Sequence, residues 1–108
     1  MKSQSAQDKR ITDELAARVL GWQATPDRFL KANRGWIPRW RFAPLARLDD
    51  AFVLLEAASG HYKLELAENT PFTAEVAIGH TTGTARGECK PRVITIAVAR
   101  ALGLEGCE

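Results

Sequence analysis

The stretch His61-Tyr62-Lys63-Leu64-Glu65-Leu66 and, a few residues on, Phe72-Thr73-Ala74-Glu75-Val76-Ala77-Ile78 alternate apolar with polar residues at a period of two. Successive side chains leave a pleated backbone on opposite sides, so this period belongs to strands with one buried face. Tyr62, Leu64 and Leu66 are expected to point inward, together with Phe72, Ala74, Val76 and Ile78. Asn69-Thr70-Pro71 reads as the turn between the two strands, which makes them a hairpin. Gly79-His80-Thr81-Thr82-Gly83 reads as the next turn. Thr84 to Cys89 follows as a third strand whose Ala85 and Gly87 leave room for a closely packed neighbour.

Helices flank this meander. On its C-terminal side Pro91 suits the first turn of a helix, where the missing N–H would lack a partner anyway. Val93 to Leu102 is so apolar that this helix must be covered over much of its circumference, and Gly103 ends it. On the N-terminal side Leu45, Leu48, Phe52 and Leu55 give an amphipathic helix over about residues 45–59, stopped by Gly60. Ile11, Leu15 and Val19, with Ala16 and Leu20, form another helical stripe ending at Gly21. The order is therefore ααβββα. The fold class is α+β, a three-stranded antiparallel meander with helices packed on it, like an α/β/α sandwich. Between the first two helices, Trp22 to Pro44 is interrupted by Pro26, Gly35 and Pro38, and reads as a long extended connection anchored by its own aromatic residues.

The chain has 108 residues, enough for one core and too few for two. The division expected is a flexible N-terminus over 1–10, one domain over 11–104 and a short tail over 105–108. With 45% hydrophobic and 26% charged residues the composition is that of an ordinary globular chain. The net charge of +2 is too small to argue for nucleic acid. Residues 1–10 lack the apolar run of a signal peptide, and no stretch approaches the roughly 18 apolar residues of a membrane span. A cytoplasmic protein that does not enter the membrane is expected. Cys89 and Cys107 form no CxxC pair and stand in no His/Cys cluster, so both read as reduced thiols, and neither a metal nor a cofactor is expected.

Four segments carry a family resemblance. They are Leu15-Ala16-Ala17-Arg18-Val19-Leu20-Gly21-Trp22, Gly35-Trp36-Ile37-Pro38, Asp49-Asp50-Ala51-Phe52-Val53-Leu54-Leu55-Glu56, and the Ala-rich run from Ile94 to Leu102. In these the sequence resembles the phage ABA sandwich domain family, small proteins encoded by phages and prophages. The resemblance implies an antiparallel sheet with helices around it and a phage origin. It implies no activity, since the family brings no catalytic residues to carry over. The basic stretch after Trp36 and the His80-Thr81-Thr82-Gly83-Thr84 turn depart from the family pattern.

Those departures hold the candidate site. Arg28, Lys31, Arg34, Arg39, Arg41 and Arg47 lie in a stretch without an acid, interleaved with Phe29, Trp36, Trp40 and Phe42. Arginine forks pair with phosphates and tryptophan rings stack on bases, so the composition is that of a nucleotide or single-strand reader. If Trp36 to Phe42 is extended, Trp36, Trp40 and Phe42 share one side, and Arg39 and Arg41 share the other. The plainer reading is that the aromatics plug the core and the arginines are a solvated face. It is favoured for Trp22 and Trp36 and left open for Trp40 and Phe42. Thr81, Thr82 and Thr84 could line a backbone nest for an anion, and Arg92 adds charge at the start of the third helix. The candidate ligand-binding residues are thus Arg34, Trp36, Arg39, Trp40, Arg41, Arg47, Thr81, Thr82, Thr84 and Arg92.

No catalytic constellation is present. His80-Thr81-Thr82 has the His-x-Thr form of two-histidine phosphoesterases, but the second copy they require is missing. Asp49, Asp50, Glu56, Glu65 and Glu75 read as solvated structural acids, the first two complementing a helix dipole. The leading expectation is a non-catalytic module that captures an anionic, nucleotide-type signalling molecule, a sponge against anti-phage defence. The alternative is a protein that docks on a host or phage protein, and a weaker third is a nucleic-acid binder. The unusually apolar third helix points to a homodimer.

Overall fold

In a computed structural model, residues 6–31, 35–58 and 61–104 are described. Helix α3, Lys90–Ala101, organises the core: Val93, Ile94, Ile96, Ala97, Val98, Ala99 and Ala101 are all buried. One side of it lies on the sheet built from β4 (His61–Glu65), β5 (Phe72–Ile78) and β6 (Thr81–Gly87), and another side packs on α2 (Leu48–Ala58). Close approach to β6 is possible because Gly83 has no side chain. A Cβ there would run into the backbone of Ala97 and Ala101, and one at Gly87 would press on Val93 Cγ2 at 3.3 Å. Ala85 and Gly87 thus make the room their size predicts, and Gly83 makes more.

The meander is antiparallel in the order β4-β5-β6. Its second hairpin is tighter than the Gly79–Gly83 turn read from the sequence. Ile78 pairs with Thr81 across Gly79 and His80 alone, with Gly79 at φ 61°, the left-handed first position of a type II′ turn. The third strand accordingly starts at Thr81 rather than Thr84, and Cys89 precedes α3 instead of ending the strand. β5 buries Phe72, Ala74 and Val76 as the alternation predicts. β4 does not follow. Tyr62 is 46% and Leu66 62% exposed and only Leu64 is half-buried, because α3 covers β5 and β6 and leaves this outer strand bare.

Helix α1, Ala6–Leu15, begins before the Ile11 at which the apolar stripe starts, so residues 6–10 of the expected flexible N-terminus are helical. A π-helical turn over Ala16–Leu20 continues it to Gly21, whose left-handed φ of 72° ends it. The second helix starts at Leu48 rather than 45. Pro44 and Leu45 are instead buried in a turn, with Thr95 Oγ1 of α3 donating to the Pro44 carbonyl at 2.8 Å. Asp50, expected to be a solvated acid, accepts the Ala43 N–H at 2.8 Å and pins the same turn.

The long connection is a second sheet. β1 (Gln23–Ala24), β2 (Arg28–Leu30) and β3 (Trp36–Pro38) form an antiparallel β1-β2-β3 array, and residues 39–41 follow as a 3₁₀ turn. Side chains hold what so few ladder bonds cannot. Thr25 Oγ1 bonds both the carbonyl and the N–H of Arg28 across the first turn. Phe29 is fully buried among Trp22 and Phe42, with ring centroids 5.1–5.9 Å apart in tilted and edge-to-face geometry. Aromatic pairs of this kind contribute about 0.5–1.5 kcal/mol beyond burial. One hydrophobic cluster runs from these rings through α1, α2 and α3 to β5.

Candidate functional site

The basic stretch separates into arginines that hold the fold and arginines that face outward. Arg39, at the start of the 3₁₀ turn, donates from Nε to the Thr25 carbonyl and from Nη2 to Asp13 Oδ2, each at 2.9 Å. Its Nη1 lies 2.9 Å from Asp13 Oδ1 as a charge contact without hydrogen-bond alignment, and its guanidinium covers the Phe29 ring at 4.9 Å. It therefore clamps the first sheet to α1. Arg92 is similarly engaged, both of its Nη atoms donating to the Asp8 carboxylate at 3.0 Å. Those bonds raise the Arg92 pKa above its ordinary value. Arg47 is exposed and keeps only a loose approach of 3.7 Å to Asp50. Arg34 lies outside the described residues.

The outward set is Arg28, Trp36, Trp40 and Arg41. Trp36 is 53% exposed and Trp40 71% exposed. Each ring has a guanidinium over it, Arg28 at 4.4 Å from the Trp36 centroid and Arg41 at 5.7 Å from that of Trp40. Such stacks favour a fixed ring orientation by about 0.5–1 kcal/mol at exposed sites. Arg28 also donates to Asp27 at 3.2 Å, and that bond holds the exposed Asp27 carboxyl below the usual range.

The structure corrects the sequence reading here in two ways. The 3₁₀ turn breaks the alternation expected of an extended 36–42, so Phe42 enters the core while Trp40 leaves it. Trp36, favoured as a packing residue, lies on the surface; Trp22 does pack. Arg28 was not singled out as a site residue, because its tie to Trp36 is created by the β2–β3 register. Arg28 pairs with Pro38 and Leu30 with Trp36, which makes Arg28 and Trp36 diagonal neighbours.

Thr81, Thr82 and Thr84 do not form a nest. All three belong to β6, where Thr82 and Thr84 stand opposite Ala77 and Glu75 on the polar sheet face, and Thr81 is opposite Ile78. The Thr84 carbonyl accepts a bond from Arg100 Nη1 at 2.6 Å. A shallow depression of about 400 Å³ lies on this polar face, lined among others by Lys63, Glu65, Glu75, Arg86 and Arg100, charges of both signs. The ten candidate residues are therefore not one site: Trp40 stacks with Arg41 and Trp36 with Arg28, Arg39 and Arg92 are tied to carboxylates of α1, and the threonines belong to the other sheet. Among the described residues no group of three His, Cys, Asp or Glu side chains is placed to hold a metal, and no helix is long and apolar enough to cross a membrane. Cys89 is a free, exposed thiol; Cys107 lies outside the described residues.

No protein-family model and no curated protein matches this sequence. Its fold is similar to the crystal structure of a phage protein from Bacillus cereus ATCC 14579, with a TM-score of 0.75 over 97% of this chain and 95% of that one, at 15% identity. A likeness at that identity is one of fold. The α+β architecture implied by the resemblance to phage ABA sandwich proteins is thus found in a solved phage protein. The resemblance to that family itself is carried by the sequence segments quoted above.

Proposed function

We propose that the chain is a non-catalytic binding module of phage origin that engages an acidic protein surface through Arg28, Trp36, Trp40 and Arg41. The observation that carries this reading is the pair of exposed tryptophan rings, each overlaid by an arginine. Tryptophan and arginine dominate interface hot spots, because a large rigid ring loses little entropy on burial and a guanidinium forks onto carboxylates. A host protein is the partner class that a phage origin favours. The likeness to a phage protein from Bacillus cereus supports that origin.

Capture of an anionic nucleotide-type molecule is the second reading, favoured by the open face of Trp40 beside Arg41. It is weakened by the engagement of Arg39 and Arg92 with Asp13 and Asp8, which withdraws two expected phosphate partners. Small-molecule sites also bury most of their ligand in a concavity. The depression of about 400 Å³ is lined by second-sheet residues and Arg100 rather than by the tryptophans.

The test is gentle affinity purification from bacteria followed by native mass spectrometry, comparing wild type with a Trp36→Ala, Trp40→Ala double variant of unchanged circular dichroism. A protein partner held by wild type and lost from the variant is expected. A nucleotide-sized mass lost in the same way would replace this reading with capture. A partner retained equally by both proteins would remove the tryptophan face from the account.

A further inference from the structure

The two outer edges of the second sheet are finished differently. The two-residue Gly79-His80 turn makes Ile78 and Thr81 a hydrogen-bonded pair, so Thr82, Thr84 and Arg86 turn their backbone groups away from β5. The bond from Arg100 Nη1 to the Thr84 carbonyl agrees with that phase and covers this edge. The same phase directs the backbone of Thr73, Glu75 and Ala77 toward β4, and hence the N–H and C=O groups of Tyr62 and Leu64 outward. No described strand pairs with that side of β4. Its outward backbone is accompanied by the exposed side chains of Tyr62 and, one residue beyond the last paired position, Leu66. An open edge with exposed apolar residues is a template for another strand.

We infer that β4 pairs antiparallel with β4 of a second copy, joining two three-stranded sheets into one of six strands, with Leu64 on the twofold axis. The choice of occupant and register comes from complementarity along the strand. With Leu64 opposite its own copy, Tyr62 faces the partner's Leu66 on the helix side, and Lys63 faces the partner's Glu65 on the polar side. Both relations recur by symmetry, as an isologous interface requires. Lys63 and Glu65 already approach to 3.5 Å within one chain, so the four charges alternate in sign around the axis. Moving the axis by one residue would set Lys63 against Lys63 or Glu65 against Glu65, which is unfavourable across a ladder. The homodimer expected from the apolar α3 loses that rationale, because α3 buries its apolar residues within its own chain. This inference is independent of the tryptophan face.

Sedimentation velocity on the whole chain, across a range of concentrations, tests it with three variants at these exposed positions. Wild type is expected to dimerise. Lys63→Glu and Glu65→Lys should each weaken the dimer at least tenfold, by placing like charges opposite each other. Their combination restores opposite charges and should restore the dimer, which also controls for folding of the single variants. A wild type that is monomeric throughout, a dimer indifferent to both reversals, or a double variant no better than the singles would each overturn the proposal.

Discussion

In the second sheet, β5 and β6 pair along seven consecutive positions and α3 lies directly on them; in the first, strands of two and three residues pair at only two or three. The second sheet is built by its ladder and by one helix seated on glycine. The first is held by contacts made by individual side chains: the Phe29, Trp22 and Phe42 rings, the Arg39 clamp on Asp13, and the Thr25 turn. The difference teaches that strands too short to hold themselves can still form a defined surface when side chains brought from afar fix their ends. Trp36 stands exposed on that sheet, and Trp40 on the 3₁₀ turn that follows it.

The contrast can be broken most severely at Gly83. Gly83→Ala puts a methyl group into the backbone of α3 and is expected to cost about 4 kcal/mol or more, a large share of a small domain's stability, read as loss of cooperative thermal unfolding. Phe29→Ala should remove the centre of the first sheet at about 3–5 kcal/mol, measured by urea unfolding. Arg39→Ala should cost about 1.5–3 kcal/mol, because charge-assisted bonds are lost and Asp13 is left partly buried without its partner. Arg92→Ala, whose guanidinium is the more exposed of the two, should cost below about 1 kcal/mol in the same assay. Arg41→Ala and Trp40→Ala are expected to stay within about 0.5 kcal/mol of wild type while weakening partner binding. Equal costs at Arg39 and Arg41 would erase the distinction between clamp and surface.

The second sheet and its helix were readable because their signal is periodic and local. β5 alternates, α3 is apolar nearly throughout, and Ala85 and Gly87 advertise a close neighbour by their size. The inward assignment of Tyr62 and Leu66 failed because alternation says which side chains share a face, and only the placement of α3 says how far that face is covered. In the first sheet the composition marked the right segment but could not sort it. Arg39 and Arg41 are two residues apart and alike in sequence, yet Arg39 reaches Asp13 in α1 and Arg41 stacks on its neighbour Trp40. Arg28 became part of the surface only through its register with β3.

What the sequence determined by itself is the α+β class, the meander, the three helices and the aromatic-basic segment. These follow from hydrophobic period, from glycine and proline positions and from local composition, all of which act over a few residues. The tertiary structure alone decided which arginines are clamps, which tryptophans are outside, and which sheet edge is covered. Those outcomes depend on pairings between residues such as Asp13 and Arg39, or Asp8 and Arg92, that are distant in the chain and meet only once the layers have packed.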